Sequence, residues 1–130
     1  MMNEQLTADN LNDEGHLQIG GVDSLTLAHQ FDTPLYVYDV SKIRDQIRRF
    51  KRVFEKHQVR YGISYASKAF SSIGIYQVME QEGIHTDVVS GGEMQTAINA
   101  GFPMYKVSFH GNNKSREELE MAVHYGVGLI

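Results

Sequence analysis

From Pro34 onward the chain alternates short apolar stretches with amphipathic ones, and no other feature restricts its fold as much. Leu35-Tyr36-Val37-Tyr38 is aromatic and β-branched, as strands are. Asp39 stands where a helix N-cap belongs. Val40, Ile43, Ile47, Phe50 and Phe54 then recur at three- and four-residue steps, which gives the following helix one apolar face. The same reading predicts strands at Val59–Ala66, His85–Val89 and Tyr105–Phe109, and the start of another at Val127–Ile130. Helices are predicted at Ser71–Glu82, Ser90–Ala100 and Ser115–His124, with Gly83 and Gly101 as stop signals after the first two. Strands and helices that alternate through short connections form a parallel sheet of right-handed βαβ units.

Two α/β closures satisfy this rhythm, an open doubly wound sheet and part of a (β/α)8 TIM barrel. A whole barrel takes about 250 residues, against the 130 present, and the last residues lie inside an apolar strand. An unpaired edge of that kind is one that complete domains avoid. The expectation is therefore the N-terminal part of a longer protein. Residues 1–15 are polar and read as a flexible N-terminus. Residues 16–33 read as a lead-in: a short strand at Leu17–Ile19, a turn at Gly20-Gly21, and a helix capped by Asp23 or Ser24 that runs to about Phe31. Residues 34–130 read as the first, incomplete half of the barrel.

Composition removes several function classes. The net charge is −4, and the one basic cluster, Arg48, Arg49, Lys51 and Arg52, is interleaved with Phe50, Val53 and Phe54. That is a solvated helix face and not a nucleic-acid footprint. There is no cysteine, hence no disulfide framework and no thiolate metal site. No apolar run reaches the roughly 18 residues of a membrane span, and the first fifteen residues lack the apolar centre of a signal peptide. The expected location is the cytoplasm. His16, His29, His57, His85 and His124 have no metal-ligand spacing, and no metal site is expected.

The strand before Lys68 carries a second pattern. Tyr61, Ile63 and Tyr65 are large, whereas Gly62, Ser64 and Ala66 are small. Alternate residues face opposite sides of a sheet, so one side packs under helices and the other stays open. Lys68 continues the small side just past the strand, at the carboxyl end where α/β folds bind ligands. Lysine forms Schiff bases with carbonyl cofactors once its amine is deprotonated. Spacing alone nevertheless favours an ordinary surface lysine in a βα loop. Asp87 lies near the same carboxyl end. Ser90-Gly91-Gly92-Glu93 fits a capping box, and Ser115-Arg116-Glu117-Glu118 repeats it. Helix N-termini bind phosphate, but neither a dinucleotide fingerprint nor a Walker loop is present. His110 reads as a strand-end histidine with no assigned chemistry.

Four segments, taken together and in this order, resemble the N-terminal barrel half of the diaminopimelate decarboxylase family, which are fold-type III pyridoxal phosphate (PLP) enzymes. They are Thr33-Pro34-Leu35-Tyr36-Val37-Tyr38-Asp39, Tyr65-Ala66-Ser67-Lys68-Ala69-Phe70, Asp87-Val88-Val89-Ser90-Gly91-Gly92-Glu93 and His110-Gly111-Asn112-Asn113-Lys114-Ser115. Related decarboxylases often carry Asn two places after the lysine, where this chain has Phe70. The resemblance implies PLP as cofactor and decarboxylation of meso-diaminopimelate to L-lysine, the last step of lysine biosynthesis. It implies that Lys68 holds the cofactor covalently, that Ala66 lies against it because nothing larger fits, that Asp87 helps organise the site, and that His110 belongs to the cofactor's surroundings. It further implies a homodimer. The phosphate loop, the acidic partner of the ring nitrogen and a cysteine from across the dimer would come from beyond residue 130. The Leu17–Ile19 strand would join a C-terminal β domain, and the 130-residue piece alone would be inactive. Sibling enzymes of the same fold (ornithine or arginine decarboxylase, alanine racemase) and a non-catalytic PLP-binding relative are the alternatives. The Gly-Gly-Glu and His-Gly-Asn-Asn-Lys segments favour the diaminopimelate branch over the siblings, and the retained lysine argues against a non-catalytic relative.

Overall fold

The computed structural model describes residues 10–130, and the chain divides into two compact units, Met1–Arg49 and Phe50–Ile130.

The first unit is organised by side-chain hydrogen bonds around a hairpin. Asn12 accepts from the backbone N–H groups of Glu14 (3.1 Å) and His16 (2.8 Å), and its amide donates to Asp23 Oδ2 at 2.7 Å. Of the start expected to be flexible, residues 1–9 lie outside the described residues. The strand expected at Leu17–Ile19 is shorter: β1 (Gln18–Ile19) pairs antiparallel with β2 (Val22–Asp23). The turn between them uses Gly20 and Gly21 at φ 60° and 80°, a region that glycine enters without steric cost. Helix α1 (Ser24–Phe31) starts as expected, with Asp23 Oδ1 accepting from the Leu25 N–H at 2.7 Å. Helix α2 (Val40–Lys56) follows Asp39, whose carboxylate accepts from the Lys42 N–H at 3.2 Å.

Leu35–Tyr38, expected as a strand, is not in one. Strand propensity reports how well side chains suit a pleated, half-buried surface. A ladder also needs a neighbouring backbone in register, and no strand pairing among the described residues includes this segment; Tyr36 is 89% exposed.

The second unit contains a three-stranded parallel sheet in sequence order, β3 (Ser64–Ala66), β4 (His85–Val88) and β5 (Val107–Phe109). Between and after the strands run α3 (Ile73–Gln81), α4 (Gly91–Asn99) and α5 (Arg116–His124). Each helix is followed by a left-handed glycine, Gly83, Gly101 or Gly126. The core gathers Tyr76 and Met79 of α3, Thr86 and Val88 of β4, Met94 and Ala97 of α4, Val107 and Phe109 of β5, and Ala122 of α5, each at most 2% exposed. Burial of a large apolar side chain contributes about 1.5–3 kcal/mol, so this set holds the helices to one face of the sheet. All three strands are shorter than expected, β4 only by Val89. Val59–Ile63 stays outside the ladder apart from the Ile63 carbonyl, which accepts from the His85 N–H at 2.9 Å. Tyr105 lies in a 3-10 turn (Met104–Lys106) that starts from Pro103, whose carbonyl accepts from the Lys106 N–H at 2.9 Å. The expected last strand is reduced to one parallel bridge between Leu129 and Ser108.

Candidate functional site

The register places small side chains and one carboxylate on the face of the sheet away from its core. Ala66 is opposite Asp87, and Asp87 is opposite Ser108. Thr86, Val88, Val107 and Phe109 alternate with them and are buried under the helices. Ser64 and Ala66 are exposed, as the alternation of small and large residues predicts. Just past Ala66 the chain turns through a 3-10 segment, Ser67–Ala69, which carries Lys68, exposed, at the carboxyl end of β3. His110 follows β5; its N–H donates to the Val88 carbonyl at 2.8 Å and its side chain is exposed. Ala66, Asp87 and Lys68 thus fall on adjoining strand ends, with His110 one strand further along.

Asp87 carries an anomaly. Its Oδ1 is buried with no hydrogen-bond partner, and no other buried side-chain polar atom among the described residues shares that condition. A buried acceptor without a donor costs about 1–3 kcal/mol. An open face of small side chains, an amine and an unmatched buried carboxylate oxygen together suit a flat ligand that brings a hydrogen-bond donor.

The loop that carries Lys68 is fastened on both sides. Before it, Ser67 is fully buried, and its hydroxyl donates to Glu93 Oε2 at 2.9 Å. After it, the Tyr65 hydroxyl donates to the Phe70 carbonyl at 2.8 Å, and Ser71 donates to the Tyr76 hydroxyl at 3.2 Å. Tyr76 in turn donates to the Glu93 carbonyl at 3.2 Å. Ser72 caps α3 through the Ile75 N–H at 3.3 Å. The sequence marked Glu93 only as half of a cap and gave no sign of its links to Ser67 and Tyr76.

That cap is half formed. Ser90 Oγ accepts from the Glu93 N–H at 3.3 Å, but the Glu93 carboxylate takes the Val89 N–H (2.7 Å) and the Ser67 hydroxyl, and not the N–H of Ser90. The second box is complete: Ser115 Oγ accepts from the Glu118 N–H at 3.2 Å, and Glu118 Oε2 accepts from the Ser115 N–H at 2.9 Å. Glu118 Oε1 also accepts from the Gly91 N–H at 2.7 Å. One N-terminal donor of α4 is therefore already used by a carboxylate, which makes this helix start a poor phosphate cradle. The Ser115 and Gly91 N–H groups hold the Glu118 carboxyl below the usual glutamate value.

Beyond β5, Ser108, His110, Asn112, Lys114 and Leu129 line an open cleft of about 320 Å³. Lys114 donates to the Gly111 carbonyl at 2.8 Å and lies 5.3 Å from the Phe109 ring. In the first unit, ligand atoms of Glu14, His16 and Asp23 lie within 4.8 Å of one another. The His16–Asp23 contact of 2.9 Å and the Asn12 bond to the same carboxylate account for that cluster as hairpin structure.

The pyridoxal binding domain of the pyridoxal-dependent decarboxylases matches residues 40–130. Over 92% of its length the chain is 54% identical to the diaminopimelate decarboxylase of Bacillus methanolicus and 55% identical to that of Bacillus subtilis (strain 168). It spans 28% and 27% of those two proteins. Among solved structures, the diaminopimelate decarboxylase of M. jannaschii superposes with a TM-score of 0.76 at 35% identity, over 92% of this chain and 29% of the other. That of Helicobacter pylori, complexed with L-lysine, superposes with a TM-score of 0.71 at 32% identity, over 82% of this chain and 26% of the other.

Proposed function

This chain belongs to the pyridoxal-dependent decarboxylase family, and on that premise we propose that it is the N-terminal part of a diaminopimelate decarboxylase. The full-length enzyme would convert meso-diaminopimelate to L-lysine and carbon dioxide. PLP, when bound, supplies a ring that takes up the electron pair left as the carboxylate departs.

The remaining work falls to side chains of the protein. Lys68 is the amine that holds the cofactor between turnovers and yields its place to the amine of the substrate. Ala66 keeps the face beside it free of bulk. Asp87 receives a hydrogen bond at Oδ1 from a donor brought into the site, which relieves the cost of its buried and unmatched oxygen. His110 borders the same end of the sheet. The observation that carries this reading is the position of Lys68, directly after a strand whose open face is small and next to the strand that bears Asp87. The remaining contacts to phosphate, ring nitrogen and substrate come from the rest of the full-length protein, which works in the cytoplasm as a homodimer.

Borohydride reduction of the full-length protein, followed by peptide mapping, should place a pyridoxyl group on Lys68. Labelling of a different lysine, or undiminished labelling in Lys68→Ala, would overturn the assignment. Meso-diaminopimelate should be decarboxylated, and ornithine and arginine should not. Comparable turnover of either would move the chain to a sibling enzyme.

A further inference from the structure

We propose that Glu93 is a positioning residue for Lys68, clipping both ends of the lysine's loop to the first turn of α4; this rests on the reading of Lys68 as the cofactor-bearing amine. A lysine just past a strand end rides on a loop, and loops move unless their groups are tied down. Here the ties converge on one residue. Ser67, immediately before Lys68, donates to Glu93 Oε2 at 2.9 Å. Ser71, three places after Lys68, donates to Tyr76, and Tyr76 donates to the Glu93 carbonyl, both at 3.2 Å. The same Oε2 accepts from the Val89 N–H at 2.7 Å, two residues beyond Asp87. The lysine's loop and the end of the strand that carries Asp87 therefore share a single acceptor atom.

The geometry also shows what Glu93 forgoes. A glutamate at this helix position ordinarily accepts from the N–H of the capping residue, as Glu118 does from Ser115 at 2.9 Å. Glu93 instead points its carboxylate at the neighbouring loop. Two donors on one oxygen make a demand of reach and not of charge: an amide oxygen can also accept twice, whereas a side chain one methylene shorter cannot span the same gap.

The test uses the full-length holoenzyme with Glu93→Ala, Glu93→Asp, Glu93→Gln and Ser67→Ala. Loss of reach should lower kcat about 10- to 100-fold, with KM moving less than about 3-fold, in the Ala and Asp variants at position 93. Glu93→Gln should recover to within about 5-fold of wild type. Amide hydrogen exchange in Glu93→Ala should speed up across residues 67–69 and at Val89, where the carboxylate holds the chain, and stay unchanged across 115–120, which would mark a local loosening. Wild-type kcat in Glu93→Ala, or a loss in Glu93→Gln equal to that in Glu93→Ala, overturns the proposal. If Glu93→Ala does not fold, Ser67→Ala carries the test: a roughly 3- to 10-fold fall in kcat with faster exchange supports the clip, and no change in either overturns it. Absence of borohydride label on Lys68 in the wild type overturns the underlying reading and the proposal with it. A normal wild-type label beside an unaffected Glu93→Ala overturns the proposal alone.

Discussion

At Gly128 the backbone passes so close to Tyr105 that a Cβ built there would overlap the Tyr105 carbonyl. The contact is held by the Gly128 N–H, which donates to the carbonyls of Met104 and Val107, both at 3.1 Å. Backbone cannot swing aside as a side-chain tip can, so Gly128→Ala should destabilise by about 2 kcal/mol or more. Gly74 is the control: it lies in α3 with nothing within 4 Å of a built Cβ. Gly74→Ala should stabilise by about 0.5 kcal/mol through the lower entropy of the unfolded chain. Denaturant midpoints of the two variants should therefore move in opposite directions, and movement in the same direction would refute the distinction. This scale also shows what sequence can carry. Ala66, Lys68 and Asp87 could be placed at one end of the sheet because the run of each strand locates its carboxyl end, although Lys68 lies in a 3-10 turn just past β3 and not in the phase of the strand. The partnership of Ser67 with Glu93 could not, because 26 positions separate them and Glu93 matches a local capping pattern just as well. Gly128 was silent for the same reason, since what makes glycine necessary there is a backbone distant in sequence.

At the level of elements, helices were more legible than strands. A helix satisfies its hydrogen bonds within itself and announces its ends locally, so Ser90 and Ser115 cap where the sequence places them, and α3 starts two residues after the expected Ser71, capped by Ser72. A strand borrows its hydrogen bonds from a neighbour, and the neighbours decide its length. Leu35–Tyr38 and Val59–Ile63 have strand composition yet stay outside the ladders, and Val127–Ile130 makes a single bridge. The complete box on α5 allows two predictions. Ser115→Ala removes the acceptor of the Glu118 N–H and should cost about 1 kcal/mol. Glu118 titrates below the ordinary glutamate value because the Ser115 and Gly91 N–H groups favour its charged form. A carboxyl whose folded-state pKa is depressed contributes stability that is present above its unfolded pKa. That stability is lost as pH falls through the folded-state value. Stability should therefore decline on acidification below about pH 4.5, and Glu118→Gln should flatten part of that decline. Unfolding measured in denaturant from about pH 6 to pH 3 would show it. An identical acid limb in wild type and variant would mean that these hydrogen bonds do not distinguish the folded from the unfolded state.

For the whole molecule, local pattern left two closures open, because barrels and doubly wound sheets are built from the same βαβ units. Similarity to solved structures with TM-scores of 0.76 and 0.71 decides for the barrel family. A closed barrel has eight strands, and three are ladder-paired in sheet β3-β4-β5. The face that bears Ala66 and Lys68 is open to water, where hydrogen bonds and charges act far more weakly than in an enclosed site. Val123 and Leu129 are 72% and 66% exposed, and unpaired sheet edges recruit other chains. The 130-residue chain made alone should thus release no carbon dioxide from meso-diaminopimelate, even with added PLP. It should also elute from a sizing column well above its mass of 14.7 kDa. Turnover by the monomeric chain would mean that Lys68 and its neighbours work without an enclosing barrel. It would also move the source of the rate from the closed site to the residues of these three strand ends.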